Sequence, residues 1–325
     1  MEYEIVATLG PASDSEAIWK AMLAAGVTGF RLNTSHVTLD DLAEWLKRLS
    51  AFLPRQKFSP PLILDLQGSK WRLGRFPVAE LVPGCLVELA LAEAADRPGL
   101  LPVPHSDFFR AAATSSPELL VNDAKVRLTV ESLRGESLTA RVLQGGPISS
   151  SKGITYLSSG YRSESLGGKD QEIVTRTRHL PFVRYALSYV RDAVEMARYR
   201  ALVGPTLPLI AKLERQPALD DAEKIAGTAE TLWLCRGDLG AELDSRAMAE
   251  AVHRFSGQVA ALPVPVLLAG QLLEHMTEHA TPTRSELCYL HDALAAGYRG
   301  IVLSDETAIG RHPVESCRAA ALFRG

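Results

Sequence analysis

Three charged side chains, Lys212, Glu214 and Asp238, stand at the ends of two short apolar runs. The runs, residues 207–211 and 232–234, read as strands, and residues 218–226 between them read as an amphipathic helix. In a strand–helix–strand unit the two strands are parallel neighbours, so their C-terminal ends share one sheet edge. A lysine between two carboxylates suits a divalent cation holding a phosphorylated anion: the acids bind the hard metal and the ammonium meets the phosphate. A surface salt bridge accounts for the same three residues equally well. The rest of the chain has to decide.

The spacing of apolar residues predicts strands over 4–9, 27–32 and 62–66, with helices over 14–25 and 39–52 between them. Gly10-Pro11 and Gly26 punctuate this part. From about residue 76 to about 165 the pattern changes to short period-two alternations, at 86–89, 126–130 and 138–142. These read as a small β-domain, with Gly- and Ser-rich stretches at 145–147 and 149–153. The β/α alternation then resumes, with strands near 182–187, 207–211, 231–234, 264–269 and 300–304. Helices are expected over 193–202, 218–226, 246–260 and 285–295.

Three strands before the insert and five after it predict an α/β protein, a (β/α)8 barrel (TIM barrel) over residues 1–75 and 166–325. A β-rich lid domain is expected over 76–165, inserted after strand three. An open doubly wound sheet is the rival, but the turn at 9–12, Leu-Gly-Pro-Ala, is not a Gly-rich dinucleotide loop.

Composition narrows the class. The 325 residues carry a net charge of −3 and are 46% hydrophobic, an ordinary globular balance that argues against nucleic acid or an anionic membrane as partner. No apolar run approaches the ~20 residues of a membrane span, and the N-terminus lacks a signal-peptide pattern. Cys85, Cys235, Cys288 and Cys317 are scattered without metal or redox spacing and fit a cytoplasmic location. Trp19 and Trp45 sit on expected helices and read as packing residues. His275 and His279 share a helical face, but HExxH is missing, so they read as rim histidines.

In a barrel of this kind the catalytic groups lie at the C-terminal ends of the strands. Strand two ends in Arg31-Leu32-Asn33-Thr34-Ser35-His36, and strand three in Asp65-Leu66-Gln67-Gly68-Ser69-Lys70-Trp71-Arg72. Strand seven ends in Gly270-Gln271, with Pro282-Thr283-Arg284-Ser285-Glu286 beyond, and strand eight in Ser304-Asp305-Glu306-Thr307. Arginine offers a planar fork to phosphate, and Asn, Ser and His offer oxygen ligands or hydrogen bonds. Any one cluster is weak, but polar clusters at so many strand ends point to a functional rim.

These stretches resemble pyruvate kinase. The matching motifs are IVATLGPAS (5–13), FRLNTSH (30–36), LILDLQGSKWRLG (62–74), IAKLE (210–214), RGDLG (236–240), QLLE (271–274), PTRSE (282–286) and VLSDET (302–307), in the family's order. The resemblance implies a (β/α)8 barrel with an inserted β-domain, and phosphoryl transfer from phosphoenolpyruvate to ADP giving pyruvate and ATP. By motif position Lys212 and Arg31 would be catalytic, gripping the phosphoryl group in transit. Gly237, Asp238 and Gly270 would join them around the substrate, and Glu214 and Asp238 would hold Mg²⁺. His36, Arg72, Asp123 and Lys152 fall near the nucleotide. Asn33, Ser35, Asp65 and the carbonyl of Leu66 fall where the family binds a monovalent cation. The chemistry is nearly all positioning and charge stabilisation, which lysine, arginine and a metal supply.

The departures carry their own expectations. The family usually has glutamate where Lys70 stands, and members with lysine there work without K⁺; a tethered ammonium supplies the missing charge. K⁺ is therefore not expected to be required. Gly270 replaces a threonine whose hydroxyl touches the substrate carboxylate, and Gln67 and Ile309 replace lysines. The chain ends at Gly325, where most members continue into a C-terminal effector domain, so no regulatory domain of that kind is expected within it. A homo-oligomer through the barrel is compatible with the pattern. Three functional readings follow: a minimal glycolytic pyruvate kinase; a divergent Mg²⁺-dependent enzyme acting on another enolpyruvate-type substrate or acceptor; and a non-catalytic phosphoenolpyruvate- or nucleotide-binding protein. Retention of Lys212, Glu214, Asp238 and Arg31 speaks against the third.

Overall fold

The computed structural model describes residues 1–122, 125–157 and 166–324. Its contacts divide the chain into two compact units. The first comprises Met1–Gln67, Gly168–Arg236 and Glu250–Gly325, and the second Gly68–Gly167 and Gly237–Ala249.

The first unit is a closed barrel of eight parallel strands. They are β1 (Glu4–Thr8), β2 (Gly29–Asn33), β3 (Leu62–Leu66), β4 (Val183–Leu187), β5 (Leu209–Leu213), β6 (Thr231–Cys235), β7 (Val266–Ala269) and β8 (Gly300–Leu303). Each pairs with its sequence neighbours, and β8 closes on β1 with Ile5 opposite Ile301. The expected (β/α)8 architecture is present.

Side chains alternate across a strand, and that alternation sorts the barrel into two surfaces. Val6, Ile63, Ala186, Ile210, Trp233, Leu267 and Val302 point inward and pack together, joined by Cys235 and Ala269. The intervening residues, among them Leu62, Leu64, Leu209, Leu213 and Leu232, are buried as well. Strands apolar on both faces are what a parallel sheet under a layer of helices requires. Two residues beyond the inward apolar layer, the same face carries Thr8, Asp65, Ser188 and Lys212.

The helices begin where local chemistry lets them. Ser15 caps Glu16–Ala24 by accepting from the Ile18 amide. Thr38 and Asp41 form a reciprocal capping box on Leu39–Phe52, and Thr283 and Glu286 do the same on Arg284–Ala295. Trp19 is fully buried, edge-on to Phe52 and donating from Nε1 to the Ser13 carbonyl, a packing role as expected.

Two expectations shift, and one helix was not expected. The single helix over 218–226 is two short ones, Gln216–Asp220 and Ala222–Ala226, interrupted at Asp221. Strand β5 runs two residues further than expected, so Lys212 lies inside it rather than past its end. The helix Gly168–Thr177, which precedes β4, escaped the apolar pattern because it buries few side chains, among them Ile173, Val174 and the acid Asp170.

The second unit holds a six-stranded sheet ordered 154–156, 118–121, 126–134, 137–144, 86–90 and 100–102, and a two-stranded pair of 146–148 with 79–81. Its core centres on Trp71, Phe108 and Tyr156, with Phe108 stacked on Tyr156 at 4.9 Å. Trp71 Nε1 donates to Asp107 Oδ1 at 3.0 Å and the Tyr156 hydroxyl donates to the Phe108 carbonyl at 3.0 Å, so neither aromatic polar atom is buried unpaired. A short helix, Ser106–Ala112, supplies Phe108; two adjacent phenylalanines make no helical stripe, and the sequence did not announce it. No helix of the described residues is long and apolar enough to cross a membrane.

Candidate active site

The inward column of β5 reads Ile210, Lys212 and then Glu214 just past the strand. Period two therefore places an apolar plug, an ammonium and a carboxylate one above the other. Lys212 Nζ lies 2.8 Å from Glu214 Oε1 and 3.1 Å from Asp65 Oδ2, and donates to Ser188 Oγ at 2.9 Å. Ser188 in turn donates to Asp65 Oδ1 at 3.0 Å. Arg31 reaches the same Asp65 from β2, with Nε at 2.7 Å and Nη2 at 2.6 Å from Oδ2. Its Nη1 donates to Thr8 Oγ1 at 2.9 Å, and the Thr8 hydroxyl donates on to the Leu303 carbonyl.

All four charged groups are buried, Glu214 and Asp65 almost completely. Two cations and two anions balance, the condition for keeping ionised groups out of water. Burial pulls the Lys212 ammonium toward neutrality, but Asp65 and Glu214 outweigh it and hold the pKa above the ordinary lysine value. Burial likewise opposes the Asp65 carboxylate, and Lys212 and Arg31 overcome it to hold its pKa below the ordinary range. Arg31 is held charged by Asp65 against the same burial.

Glu214 is aimed as well as charged. Its Oε2 accepts the Tyr189 amide at 2.7 Å, and Tyr189 has a φ of 60°, a left-handed backbone unusual for an aromatic residue. The guanidinium of the buried Arg215 lies 4.7 Å from the centre of the Tyr189 ring. Strain of this kind gathers where side-chain direction matters.

The remaining sequence candidates fall into three groups. On the barrel unit, the Asn33 side chain accepts from the Ser35 amide at 3.2 Å, and Thr34 donates to the Asp65 carbonyl at 2.7 Å, so the turn after β2 is tied to β3. Lys169 donates to the carbonyls of Thr34 and Val37, both at 2.6 Å, and fixes the segment carrying Ser35 and the exposed His36. Leu66 is fully buried at the end of β3, and the Gln67 amide donates to Asp170 Oδ1 at 3.1 Å. Gly270 adopts a φ of 86°, and its carbonyl accepts from Arg236. Ile309 is exposed.

On the second unit, Lys70 pairs with Asp238 Oδ1 at 2.5 Å, and Asp238 stands with the exposed Gly237 in the first turn of Arg236–Glu242. Arg72 Nη1 donates to the Ser151 carbonyl at 2.9 Å, and the Lys152 carbonyl accepts from the Leu73 amide. Asp123 lies outside the described residues.

The third group is structural. Thr283 and Glu286 make the capping box, and Glu306 accepts from the amides of Leu273 and Ser304. Burial holds the Glu306 pKa above its ordinary value. The Thr307 hydroxyl donates to the Thr8 carbonyl at 2.9 Å, stitching β8's end to β1.

Sequence reasoning passed over Ser188, Thr8, Lys169 and Tyr189. For Ser188 and Thr8 a signal existed: each stands two positions beyond an inward apolar residue, Ala186 and Val6.

Among the described residues no group of three His, Cys, Asp or Glu side chains can hold a metal unaided. Mg²⁺ takes one or two carboxylates and completes its shell with water and substrate oxygens, so the hard oxygen donor of the oriented Glu214 fits that ion. Arg31 and Lys212 present fixed positive charge on the same unit. The arrangement can hold an anionic phosphorylated substrate and neutralise charge as a phosphoryl group moves.

Comparison with known proteins agrees. The family model of the pyruvate kinase barrel domain matches residues 1–317. A pyruvate kinase of Agrobacterium vitis is 33% identical over 316 residues, covering 96% of this chain and 65% of its own length. One from Mycobacterium intracellulare is 31% identical over 320 residues, covering 97% and 68%. One from Thermococcus litoralis is 28% identical over 323 residues, covering 98% and 68%. The chain thus spans about two thirds of the length of these relatives. With a barrel of the right topology, the ordered motifs on its strand ends and matches over nearly its whole length, the chain belongs to the pyruvate kinase family.

Proposed function

We propose that this protein transfers the phosphoryl group of phosphoenolpyruvate to ADP, giving pyruvate and ATP, with Mg²⁺ and without a requirement for K⁺. The observation that carries the reading is the buried Arg31–Asp65–Lys212–Glu214 cluster, balanced in charge and locked in geometry. In the transfer, the bond from the enol oxygen to phosphorus breaks as a bond from an ADP β-phosphate oxygen to phosphorus forms. Charge spreads over the three peripheral oxygens of the group in flight. Lys212 and Arg31 meet that charge, and Asp65 and Ser188 keep both cations in place. The enolate left behind takes a proton at carbon to become pyruvate. As the motifs suggest, Glu214 and Asp238 would hold Mg²⁺, which would supply Lewis-acid charge to the reaction. Lys70 takes the part of the monovalent cation otherwise assigned to Asn33, Ser35, Asp65 and the Leu66 carbonyl. His36, Arg72, Asp123 and Lys152 are proposed to face the nucleotide. The free thiols of all four cysteines suit the cytoplasmic location of such an enzyme.

Pyruvate formation, coupled to a dehydrogenase and measured with Mg²⁺, tests the reading, with Lys212→Met as control. Turnover that vanishes in the variant supports it; absence of turnover in the wild type overturns it. One observation favours a second reading, in which the enolpyruvate site serves another substrate or acceptor. Gly270 stands where the family's threonine would be, in a left-handed conformation that threonine does not favour. Phosphoenolpyruvate binding without turnover, followed by a positive result in a screen of acceptors, would establish that alternative.

A further inference from the structure

Gly153 is buried, and its neighbours pin it firmly. The Ser151 amide donates to the Leu73 carbonyl at 3.0 Å, the Leu73 amide to the Lys152 carbonyl at 2.9 Å, and the Ile154 amide to the Trp71 carbonyl at 3.0 Å. The Gly153 carbonyl itself accepts from Asn122 at 3.1 Å. Residues 151–154 are therefore laced along 71–73, immediately beyond Lys70.

Glycine is commonly required where the backbone is left-handed, and Ser151 and Gly146 nearby have φ of 65° and 153°. Gly153 is not among the positive-φ glycines, so a left-handed backbone is not what calls for glycine there. The space where a side chain would begin is what excludes one. A β-carbon on Gly153 would stand 2.1 Å from Lys70 Cε, 2.8 Å from Nζ and 3.2 Å from Cδ. The end of the Lys70 side chain occupies that volume on its way to Asp238.

We infer that Gly153 is a positioning residue for Lys70, leaving open the slot through which its ammonium reaches Asp238. An alanine there meets a flexible lysine tail on one side and a hydrogen-bonded backbone on the other. The tail yields, and the ammonium leaves Asp238 for solvent. This deepens the proposed function and rests on it for its catalytic consequence, because Lys70 is there the fixed positive charge replacing K⁺. The geometric claim stands without it.

The closing experiment has two arms. In the first, trace acetic anhydride labels lysines of the native protein, and peptide mass spectrometry gives Lys70 relative to Lys47, whose side chain is 78% exposed. Lys70 should label slowly in the wild type, and Gly153→Ala should raise the ratio several-fold. An unchanged ratio in Gly153→Ala overturns the inference. In the second arm, turnover is followed through the cycle of Gly153→Ala, Lys70→Ala and the double variant, which carries no clash. Gly153→Ala should cost about tenfold with Lys70 present and less than about twofold in the Lys70→Ala background. Equal losses in both backgrounds would mean a purely structural glycine and also overturn the inference. A wild type inactive on phosphoenolpyruvate and ADP would count against the proposed function alone, and the labelling arm would still decide the role of Gly153.

Discussion

Lys212 Nζ lies 3.1 Å from Asp65 Oδ2, the same oxygen that Arg31 holds through two nitrogens. One carboxylate oxygen thus anchors two cations from different strands, and the other is fixed by Ser188. Asp65→Asn keeps the shape and removes the charge, leaving Arg31 and Lys212 buried side by side with Glu214 as their nearest counter-charge. Breaking one partner of a buried ionic group costs about 3–5 kcal/mol, so denaturant unfolding should show a loss of that order. If the proposed reaction is the right one, turnover should fall at least about a hundredfold, because both cations lose their shared anchor. A variant that unfolds like the wild type would contradict the anchoring role.

The same cluster fixes a pH signature. Asp65 has its folded pKa depressed, so the stability it contributes is present above the unfolded carboxylate value and is lost as pH falls through the lower, folded one. Lys212 has its folded pKa raised, so its contribution is complete below the ordinary lysine value and is lost only as pH rises through the higher, folded one. Neither group titrates near neutrality. The stability difference between wild type and Asp65→Asn should stay constant from about pH 6 to 9 and shrink only in strong acid. Equilibrium unfolding at a series of pH values measures it. A difference that varies across the neutral range would show that Asp65 is not held ionised.

How far this could be read beforehand depended on whether the signal was local. The barrel was legible because apolar runs and helical spacing recur in order, but the column Ile210, Lys212, Glu214 was not, because the apolar run stops at 211 while the strand continues to Leu213. The helix Gly168–Thr177 was not, since Asp170 and Thr177 take core positions where the pattern expects apolar residues. Ser188 could have been placed on the inward face, two positions beyond Ala186, but nothing local says that it bridges Lys212 and Asp65. The pair Lys70–Asp238 joins residues 168 positions apart, a relation that only the folded chain contains. The stretch at 282–286 shows the converse: its Thr-x-x-Glu spacing is a local capping box that could have been recognised.

Lys70 carries the prediction on monovalent ions. Its side chain is mostly buried and its ammonium meets Asp238, so a fixed positive charge is built into the second unit. Exchange of Na⁺ for K⁺ at constant ionic strength should change wild-type turnover by less than about twofold, below the scale of one lost interaction. Lys70→Ala should lower turnover and make it respond to K⁺, as a diffusible ion replaces the tethered charge. Strong activation of the wild type by K⁺ over Na⁺ would refute the replacement.

Gly270 can be tested by restoring the family's residue. Gly270 and Gln271 have φ of 86° and 52°, and their carbonyls both accept from Arg236, whose guanidinium lies 4.7 Å from the Tyr289 ring centre. Threonine resists such a φ because its branched β-carbon crowds the backbone, at about 1–3 kcal/mol for a residue held in a sparsely populated region. Gly270→Thr should therefore lower the unfolding free energy by that order, and Gly270→Ala by a similar amount. If the turn relaxes to suit threonine, the carbonyls move and Arg236 loses part of its hold. The restored hydroxyl should then raise turnover only modestly over Gly270→Ala, short of the 5- to 150-fold that about 1–3 kcal/mol of transition-state binding corresponds to. A threonine variant as stable as the wild type and fully accelerated would show that the turn accepts either residue, and would place specificity in the missing hydroxyl rather than in the backbone.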